Sequence, residues 1–334
     1  MLNARSRLNR REFLKILAVA GGVAVGGDIL QNLLGTRAIV LHENRYLMGT
    51  VINLTLVAES REQGQAAISE VFQEMARLVH IFDHRRPGGP LARLNQEGRL
   101  DQPPAELASL ISRALKFGDL SNGAFDITVK PVLDACRSGE TRLSALLDRV
   151  DYRQVSVRPD RIRLGLPGMQ ITLDGIAKGS IVDASLTQLQ AHGFQKFLVE
   201  AGGDLYVQGP PGDERPWKIA IAHPRKTQGH PWITTLKINA RAVATSGDYL
   251  NTFSNDYSLN HIIDPRVGLS PTELCSATVI APDTTTADAL GTALMVLGVR
   301  EGLALVENLD GVEALLVTKN LDIIHSPGFP RLLN

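Results

Sequence analysis

Residues 172–207 read TLDGIAKGSIVDASLTQLQAHGFQKFLVEAGGDLYV and combine both kinds of secondary structure with two glycine-rich motifs. Ile176 to His192 is predicted to be a helix, and Lys196 to Val207 is predicted to be a strand. Glycine beside aspartate lets the backbone approach a ligand closely, and it can turn amide donors toward phosphate oxygens. This stretch therefore predicts both packed elements and candidate ligand-binding turns.

Elsewhere, apolar residues that recur every three or four positions indicate further helices. Glu62 to Phe82 shows such a stripe, and Pro104 to Leu120 shows another that ends at Asn122-Gly123, as a helix C-terminus often does. Because strands and helices are mixed without regular β-α-β alternation, we predict an α+β fold. The other predicted elements are strands at Thr50–Val57, within 153–173, at Trp217–Ala222 and at Trp232–Ile238, a helix at Thr285–Leu297, and a terminal hairpin of Val312–Val317 with Leu321–Ile324.

The composition excludes several classes of protein. The chain has 334 residues, of which 44% are hydrophobic and 21% charged, which does not fit a disordered, collagen-like or coiled-coil protein. Lysine plus arginine equals aspartate plus glutamate at 35 each, so the basic excess of a non-specific nucleic-acid binder is absent. With two cysteines, Cys136 and Cys275, a disulfide framework is excluded, and whether these two pair is left open.

The N-terminal segment resembles an export signal. Residues 9–27 read NRREFLKILAVAGGVAVGG, with a charged stretch before an apolar run that is shorter than the roughly 20 residues needed to span a bilayer. Arg10-Arg11 and the residues after them are typical of a twin-arginine signal. An amphipathic helix of the mature fold is the alternative, and the paired glycines disfavour it. We expect residues 1–38 to be signal and linker, residues 39–334 to be a single domain without a transmembrane span, and the protein to be periplasmic.

Five segments combine glycine or small polar residues with neighbouring apolar stretches. Each one alone is more simply explained as a turn, but five in one chain favour a ligand site. They are GAFD at 123–126, DGIAKG at 174–179, EAGGD at 200–204, ATSGDY at 244–249 and HIIDP at 261–265.

In order and spacing, these segments resemble the ApbE family of FAD:protein FMN transferases. The motifs MGT at 48–50, LARLN at 91–95 and ADALGTAL at 287–294 extend the resemblance to about residues 46–300. The resemblance implies an α+β fold of antiparallel sheets flanked by helices, with the FAD and metal site in a cleft between subdomains. It also implies that FMN is moved from FAD onto a Thr or Ser hydroxyl of a target protein, with release of AMP and with Mg²⁺ at the diphosphate.

A metal site is predicted at Asp288 and Thr292. These residues are four apart on a predicted helix, so they share one face, and both are hard oxygen ligands of the kind Mg²⁺ prefers. The resemblance adds the backbone carbonyl of Gly175 as a third ligand. The alternative is a solvated helix face with an acid near its N-terminus. We expect Asp288 to be exposed, so that Asp288→Ala would leave the fold intact.

His261 is the candidate general base, and Asp288 is the second candidate catalytic residue. An imidazole with a pKa near neutrality suits removal of a proton from an attacking hydroxyl. Alternatively, His261 only hydrogen-bonds the ligand or orders the turn at Asp264-Pro265. Lys178 is expected to face a phosphate or an acidic residue, the alternative being a surface lysine.

The resemblance places the FAD-binding residues in several of the same segments. Asp126 has an alternative role as the cap of the following turn. Ser246 and Asp248 are also expected to line the site. The residues that the resemblance assigns to FAD binding are Met48, Ala124, Phe125, Asp126, Thr172, Lys178 and Ile262.

The chain departs from the family pattern at two places. Thr172 stands where relatives often have aspartate, and the acid instead occurs two positions later, at Asp174, on the same side of an extended strand. Arg85 stands where the family commonly has an aromatic residue, which could stack on a flat ring; an arginine can also stack but brings a charge.

The implied partners are FAD and an acceptor protein, namely an exported or membrane-bound electron-transport subunit with a Thr or Ser in a flavinylation motif. Two other functions stay open at this point. One is a Mg²⁺-dependent FAD pyrophosphatase that releases FMN and AMP without an acceptor. The other is a non-catalytic FAD-binding protein.

Overall fold

The computed structural model describes residues 38–140, 143–210, 216–225 and 231–329. All but the last residue of the predicted export signal and linker lie outside the described residues, so that signal stays a prediction, as does the single domain at 39–334. Thirteen strands form in this part of the chain. They are β1 Ile39–Leu47, β2 Thr50–Ala58, β3 Arg99–Asp101, β4 Val155–Arg158, β5 Arg161–Leu164, β6 Phe197–Ala201, β7 Asp204–Gln208, β8 Trp217–Ala222, β9 Trp232–Ile238, β10 Arg241–Gly247, β11 Leu274–Ala281, β12 Glu313–Thr318 and β13 Ile323–His325.

Eight of these strands form one large sheet in the order β1-β2-β6-β7-β10-β11-β12-β13, and every neighbouring pair is antiparallel. Among the described residues, β1 and β13 are therefore the outer strands of this sheet. A small antiparallel sheet has the order β3-β5-β4, and β8 pairs with β9 as a separate hairpin.

Helices pack against the large sheet, so the predicted α+β class is confirmed. Ser60 begins the first helix by accepting a hydrogen bond from the Gln63 N–H, and Asp283 begins the last by accepting one from the Thr286 N–H. The helices are α1 Arg61–Phe82, α2 Pro90–Glu97, α3 Ala105–Leu120, α4 Lys130–Ser138, α5 Ala177–Ala191 and α6 Thr284–Glu307, with short 3-10 turns at Ile127–Val129, Leu143–Arg149 and Tyr152–Gln154.

The two faces of the large sheet are covered by different elements. On one face, residues such as Leu54 and Val199 belong to a main core that also contains Phe72 of α1 and Leu290 of α6. On the opposite face, Leu198 and its neighbours belong to a second core with the inner side chains of the β8–β9 hairpin. Burial of large apolar side chains contributes roughly 1.5–3 kcal/mol each, so the sheet is held from both sides.

One predicted strand is in fact two. Lys196 to Val207 was expected to be continuous, but the chain reverses at Gly202-Gly203 and forms the β6–β7 hairpin. Both glycines have positive φ, 64° and 102°, a conformation that other residues rarely adopt. The prediction was wrong because the residues on both sides of this turn are mostly apolar and buried, so in the sequence they look like one continuous buried strand.

The last long helix is central to the fold. The predicted helix at Thr285–Leu297 extends to Glu307 across a break at Gly298, where φ is 76°. By length and composition α6 is apolar enough to cross a membrane, but many of its apolar side chains, among them Leu290 and Leu294, are buried inside the protein. Cys136 and Cys275 are unpaired, which answers the question left open above.

Gly179 lies where the N-terminal turns of α5 and α6 meet. A Cβ at this position would lie 2.4 Å from the backbone oxygen of Thr284, so any larger residue would push the two helices apart. We expect Gly179→Ala to lower the free energy of unfolding by about 1–3 kcal/mol, the usual cost of overpacking. Urea unfolding measures this, with Ser180→Ala in the same helical turn as the control. Equal stability of Gly179→Ala and the wild type would contradict the close packing.

Candidate active site

The candidate active site is built around the contact between α5 and α6. The Gly179 N–H at the start of α5 donates a hydrogen bond of 3.0 Å to Asp288 Oδ2 on α6. Gly175, just before α5, lies against Thr292: a Cβ there would be 3.0 Å from Thr292 Oγ1 and 3.3 Å from the Phe125 ring. The DGIAKG and ADALGTAL motifs, which are more than 100 residues apart in sequence, are therefore adjacent in the structure.

The predicted metal ligands lie near one another. Thr292 follows Asp288 by one turn of α6, and the Ser246 hydroxyl lies 3.5 Å from Thr292 Oγ1. A carboxylate, hydroxyl groups and the backbone of Gly175 supply only hard oxygen donors, which fits Mg²⁺. Within the described residues, no group of three or more His, Cys, Asp or Glu side chains could hold a metal ion. An ion here would therefore need substrate or water oxygens to complete its coordination.

Lys178 lies among acidic side chains. Its ammonium forms an ion pair with Asp204, and it lies 3.6 Å from Asp288 Oδ1. The side chains of Asp204 and Asp288 are only 2% and 3% exposed, and this burial raises the pKa of Asp204 to about 7 and also raises the pKa of Asp288. Burial opposes the charge of Lys178, but its two acidic neighbours raise the pKa of its ammonium. Lys178 therefore faces acidic residues of the site, one of the two partners expected from the sequence.

Asp288 is buried, which corrects the expectation that it would be exposed. The expectation failed because the first turns of α6 pack into the core against α5 instead of facing solvent. Replacing Asp288 with alanine would leave the buried Gly179 N–H without its acceptor, a loss that costs roughly 1–3 kcal/mol. Asp288→Ala is therefore expected to weaken the fold as well as the site.

His261 has the properties of a base that is neutral at physiological pH. Its backbone N–H donates to the Asn251 carbonyl at 3.0 Å, whereas its Nδ1 is buried and has no hydrogen-bond partner among the described residues. Burial, with a smaller effect from the positive charge of Lys178, lowers the pKa of His261 to about 4. The pKa near neutrality that the sequence led us to expect is therefore wrong. The imidazole is uncharged near pH 7 and can accept a proton, but it is a weaker base than a free imidazole.

The GAFD segment supports the site through its packing. Asp126 accepts hydrogen bonds from the backbone N–H groups of Thr128 at 2.7 Å and Tyr152 at 3.1 Å, so its carboxylate caps the next turn, the alternative considered above. Ala124 and Phe125 are buried in the main core. The Phe125 ring contributes to the site where it lies against Gly175.

The remaining predicted FAD-binding residues belong to three separate segments of the chain. Thr172 is buried, and its hydroxyl accepts a hydrogen bond of 3.2 Å from the Asp174 N–H at the start of the DGIAKG motif. Ile262 is a core residue next to His261. Met48 occupies the turn between β1 and β2 with a φ of 53° and packs against the edge of the same core.

The two departures from the family pattern contact each other. Arg85 Nη1 lies 3.2 Å from Asp174 Oδ1, and Nη2 pairs with the other carboxylate oxygen. Burial opposes the charge of Asp174, but Arg85 holds the pKa of this carboxyl below its usual value. The arginine at position 85 and the aspartate at position 174, both departures from the family pattern, thus form an ion pair with each other. Both residues were visible in the sequence, but nothing in the sequence showed that they would meet.

Two further acidic residues, Asp204 and Asp248, form buried ion pairs that the sequence did not predict. Asp204, the partner of Lys178, is part of the AGGD motif, so that motif was a usable signal. Asp248 was expected to line the site, but its side chain is fully buried and bonded to Arg225 and Lys319. Asp248 therefore belongs to a separate buried ion cluster.

Sequence comparison agrees with this geometry. The profile of the ApbE family matches residues 48–316, most of the chain, so the chain belongs to the ApbE family. The predicted family membership is confirmed.

The relatives have names that describe a common activity. The chain is 31% identical over 324 residues to the FAD:protein FMN transferase of Treponema pallidum, covering 88% of this chain and 89% of that protein. It is 32% identical over 275 residues to the FAD:protein FMN transferase of Haemophilus influenzae, covering 76% of this chain and 78% of that protein.

Solved structures show the same fold. The ApbE protein of Thermotoga maritima superposes with a TM-score of 0.80 at 26% identity, covering 88% of this chain and 99% of that one. The apo form of the Pseudomonas stutzeri flavinyl transferase ApbE superposes with a TM-score of 0.79 at 28% identity, covering 90% of this chain and 99% of that one. The prediction of an ApbE-like fold is therefore confirmed.

The low pKa of His261 predicts how the stability of the fold depends on pH. Between pH 6.5 and about 4 the unfolded chain binds a proton at this residue and the folded chain does not, so the free energy of unfolding falls as the pH falls. Urea unfolding at pH 7 and pH 4.5 should show that the wild type loses more stability than His261→Gln, by up to about 3 kcal/mol. The exposed His80→Gln is the control and should behave like the wild type. Equal losses in the wild type and His261→Gln would contradict the prediction.

Proposed function

We propose that this chain is an FAD:protein FMN transferase that moves the FMN half of FAD onto a Thr or Ser hydroxyl of an acceptor protein and releases AMP. A bond forms between the FMN phosphorus and the acceptor oxygen, and the bond from that phosphorus to the AMP oxygen breaks. The observation that carries the proposal is the α5–α6 contact, where Asp288 is bonded to Gly179 and lies one turn from Thr292. The names of the relatives support the same reaction.

The charges of the site support a requirement for a divalent cation. Asp174, Asp204 and Asp288 all raise the pKa of Lys178, so three carboxyl groups surround one ammonium at this position. A diphosphate would be repelled by these carboxylates. We propose that Asp288, Thr292 and the Gly175 carbonyl hold Mg²⁺, which would neutralise the diphosphate and the charge that develops on its oxygens.

His261 is proposed to remove the proton from the acceptor hydroxyl. Its uncharged imidazole can accept that proton, and its unpartnered Nδ1 shows that the ring is not already committed to another group among the described residues. Lys178 keeps its positive charge beside Asp288, so it is placed to balance negative charge near the reacting phosphate.

The transferase is tested by incubating the protein with FAD, Mg²⁺ and a purified candidate acceptor that carries a flavinylation motif. The acceptor should gain the mass of FMN minus water, and one AMP should appear for each FMN attached. AMP and free FMN in the absence of acceptor would instead indicate a pyrophosphatase. Tight FAD binding with no AMP release would indicate a binding protein.

Asp288→Asn tests the role of the carboxylate while keeping an oxygen that can accept from Gly179. Removing its charge should lower Mg²⁺-dependent transfer by roughly 100-fold or more, as for other groups that stabilise charge in active sites. Initial rates across a Mg²⁺ titration measure this, and thermal unfolding checks the fold. The exposed Asp310→Asn loses the same charge elsewhere and should keep the wild-type rate. A wild-type Mg²⁺ response in Asp288→Asn would remove the proposed metal site.

We also propose that the protein is exported to the periplasm by the twin-arginine route and that its acceptors are exported or membrane-bound electron-transport proteins. The support is the segment at residues 9–27 with its paired arginines. Replacing Arg10 and Arg11 together with lysine should leave the full-length protein in the cytoplasm on cell fractionation. Unchanged export of that variant would contradict this route.

A further inference from the structure

A buried ion cluster lies at the start of the loop that carries His261. Asp248 directly follows β10, and its carboxylate accepts hydrogen bonds from Nη1 and Nη2 of Arg225 at 2.7 and 2.8 Å. The ammonium of Lys319, in the turn between β12 and β13, pairs with the same carboxylate. The Asp248 side chain is 0% exposed, so this charge must be compensated from within the protein.

The same two cations also hold the loop further along, at Tyr257. Lys319 Nζ donates to the Tyr257 carbonyl at 3.3 Å, and the Arg225 guanidinium lies 4.2 Å from the centre of the Tyr257 ring. Tyr257 has a φ of 62°, which is unfavourable for a bulky residue and persists only where the surroundings enforce it. Lys319 and Arg225 therefore each contact both ends of the segment 248–257. We call this arrangement of Lys319, Arg225, Asp248 and Tyr257 the clasp.

Hydrogen bonds extend from this clasp to both sides of His261. The Tyr257 carbonyl also accepts from Asn260 Nδ2 at 3.3 Å, and Asn260 Oδ1 accepts from the Ile262 N–H at 3.0 Å. Asn260 precedes His261 and Ile262 follows it. The backbone on both sides of His261 is thus tied, through Asn260, to the carbonyl that Lys319 holds.

The backbones of Asp248 and Lys319 are hydrogen-bonded to β11 of the large sheet and to the residue just before it. The Asp248 N–H donates to the Cys275 carbonyl of β11 at 3.1 Å, and the Lys319 N–H donates to the Glu273 carbonyl at 2.9 Å, just before the same strand. The loop itself has many exposed positions, among them Leu250 and Leu259. The loop also has hydrogen bonds of its own, such as the one from the Phe253 N–H to the Leu259 carbonyl at 2.7 Å, and the buried cations tie this folded loop to the sheet.

We propose that Lys319 and Arg225 are positioning residues for His261. Through Asp248 and Tyr257 they hold the loop in the one conformation that places the imidazole at the α5–α6 site. The effect on catalysis rests on the proposed function, in which His261 is the base, whereas the effect on the loop does not depend on it.

The first test follows the loop directly by hydrogen–deuterium exchange, with no substrate present. Lys319→Met removes the charge and the bond to the Tyr257 carbonyl but keeps a long side chain, and it should speed exchange in peptides that cover residues 250–262 by at least tenfold. Lys319→Arg should restore slow exchange, because it keeps the charge and the donors. Lys218→Met, at an exposed position of β8, is the control and should match the wild type. Wild-type exchange in Lys319→Met would overturn the proposal.

The second test asks whether the loop controls the chemical step. At saturating FAD and acceptor, Lys319→Met should lower the transfer rate at least tenfold and change the FAD dissociation constant by less than twofold. In the His261→Ala background, Lys319→Met should lower the rate no further. A full additional loss in that background, or an equal loss of FAD affinity, would overturn the positioning role. If the wild type transfers no FMN, the proposed function fails, and the exchange measurement still decides whether Lys319 orders the loop.

Discussion

The site depends on one buried interaction, the placement of the Lys178 ammonium between Asp204 and Asp288. Two carboxyl groups are withdrawn from water here, and the partly exposed Lys178 ammonium lies between them and offsets their charge. Asp204 begins β7, Lys178 lies in the first turn of α5, and Asp288 lies on α6. The charge requirement therefore aligns two helices with a central strand, and this alignment brings Gly175 to Thr292.

The two halves of the proposed chemistry are held by different means. The phosphate and metal half is part of the core, where close backbone packing at Gly179 leaves little freedom. The base is carried by a loop whose position is set by the ion cluster of Asp248. In the proposed transfer reaction, FAD would meet the rigid half and the acceptor protein would meet the loop.

Much of the fold could be predicted from local pattern, and the failures have physical causes. The β8 and β9 strands have the predicted bounds. Buried and more exposed side chains alternate along β8, and residues typical of turns flank both strands. By contrast β11 is buried at every position, so it has no alternation to detect, and β10 was read only as a motif. The helices α2 and α4 are short, and they too were not predicted.

For the site, residue types were predictable and their environments were not. Spacing on one helix suggested that Asp288 and Thr292 act together, but burial of Asp288 depends on how α6 packs against α5. The same holds for Arg85 and Asp174, which are 89 residues apart in sequence and become partners only through the fold. Long-range pairing of this kind leaves no trace in the local pattern of a single sequence.

The outer position of β1 has a consequence for the behaviour of the protein in concentrated solution. This nine-residue strand bonds to β2 on one side and has no partner strand on the other among residues 38–329 as far as they are described. Such an edge offers a row of backbone donors and acceptors, which can recruit strands from other molecules. In β1 this tendency is opposed by charge, since Glu43 and Arg45 form an ion pair on the half-exposed strand. At the opposite border β13 has only three residues, too few to template lengthy pairing. Polymerisation through the sheet is thus opposed by the charged side chains of β1 at one edge and by the short length of β13 at the other.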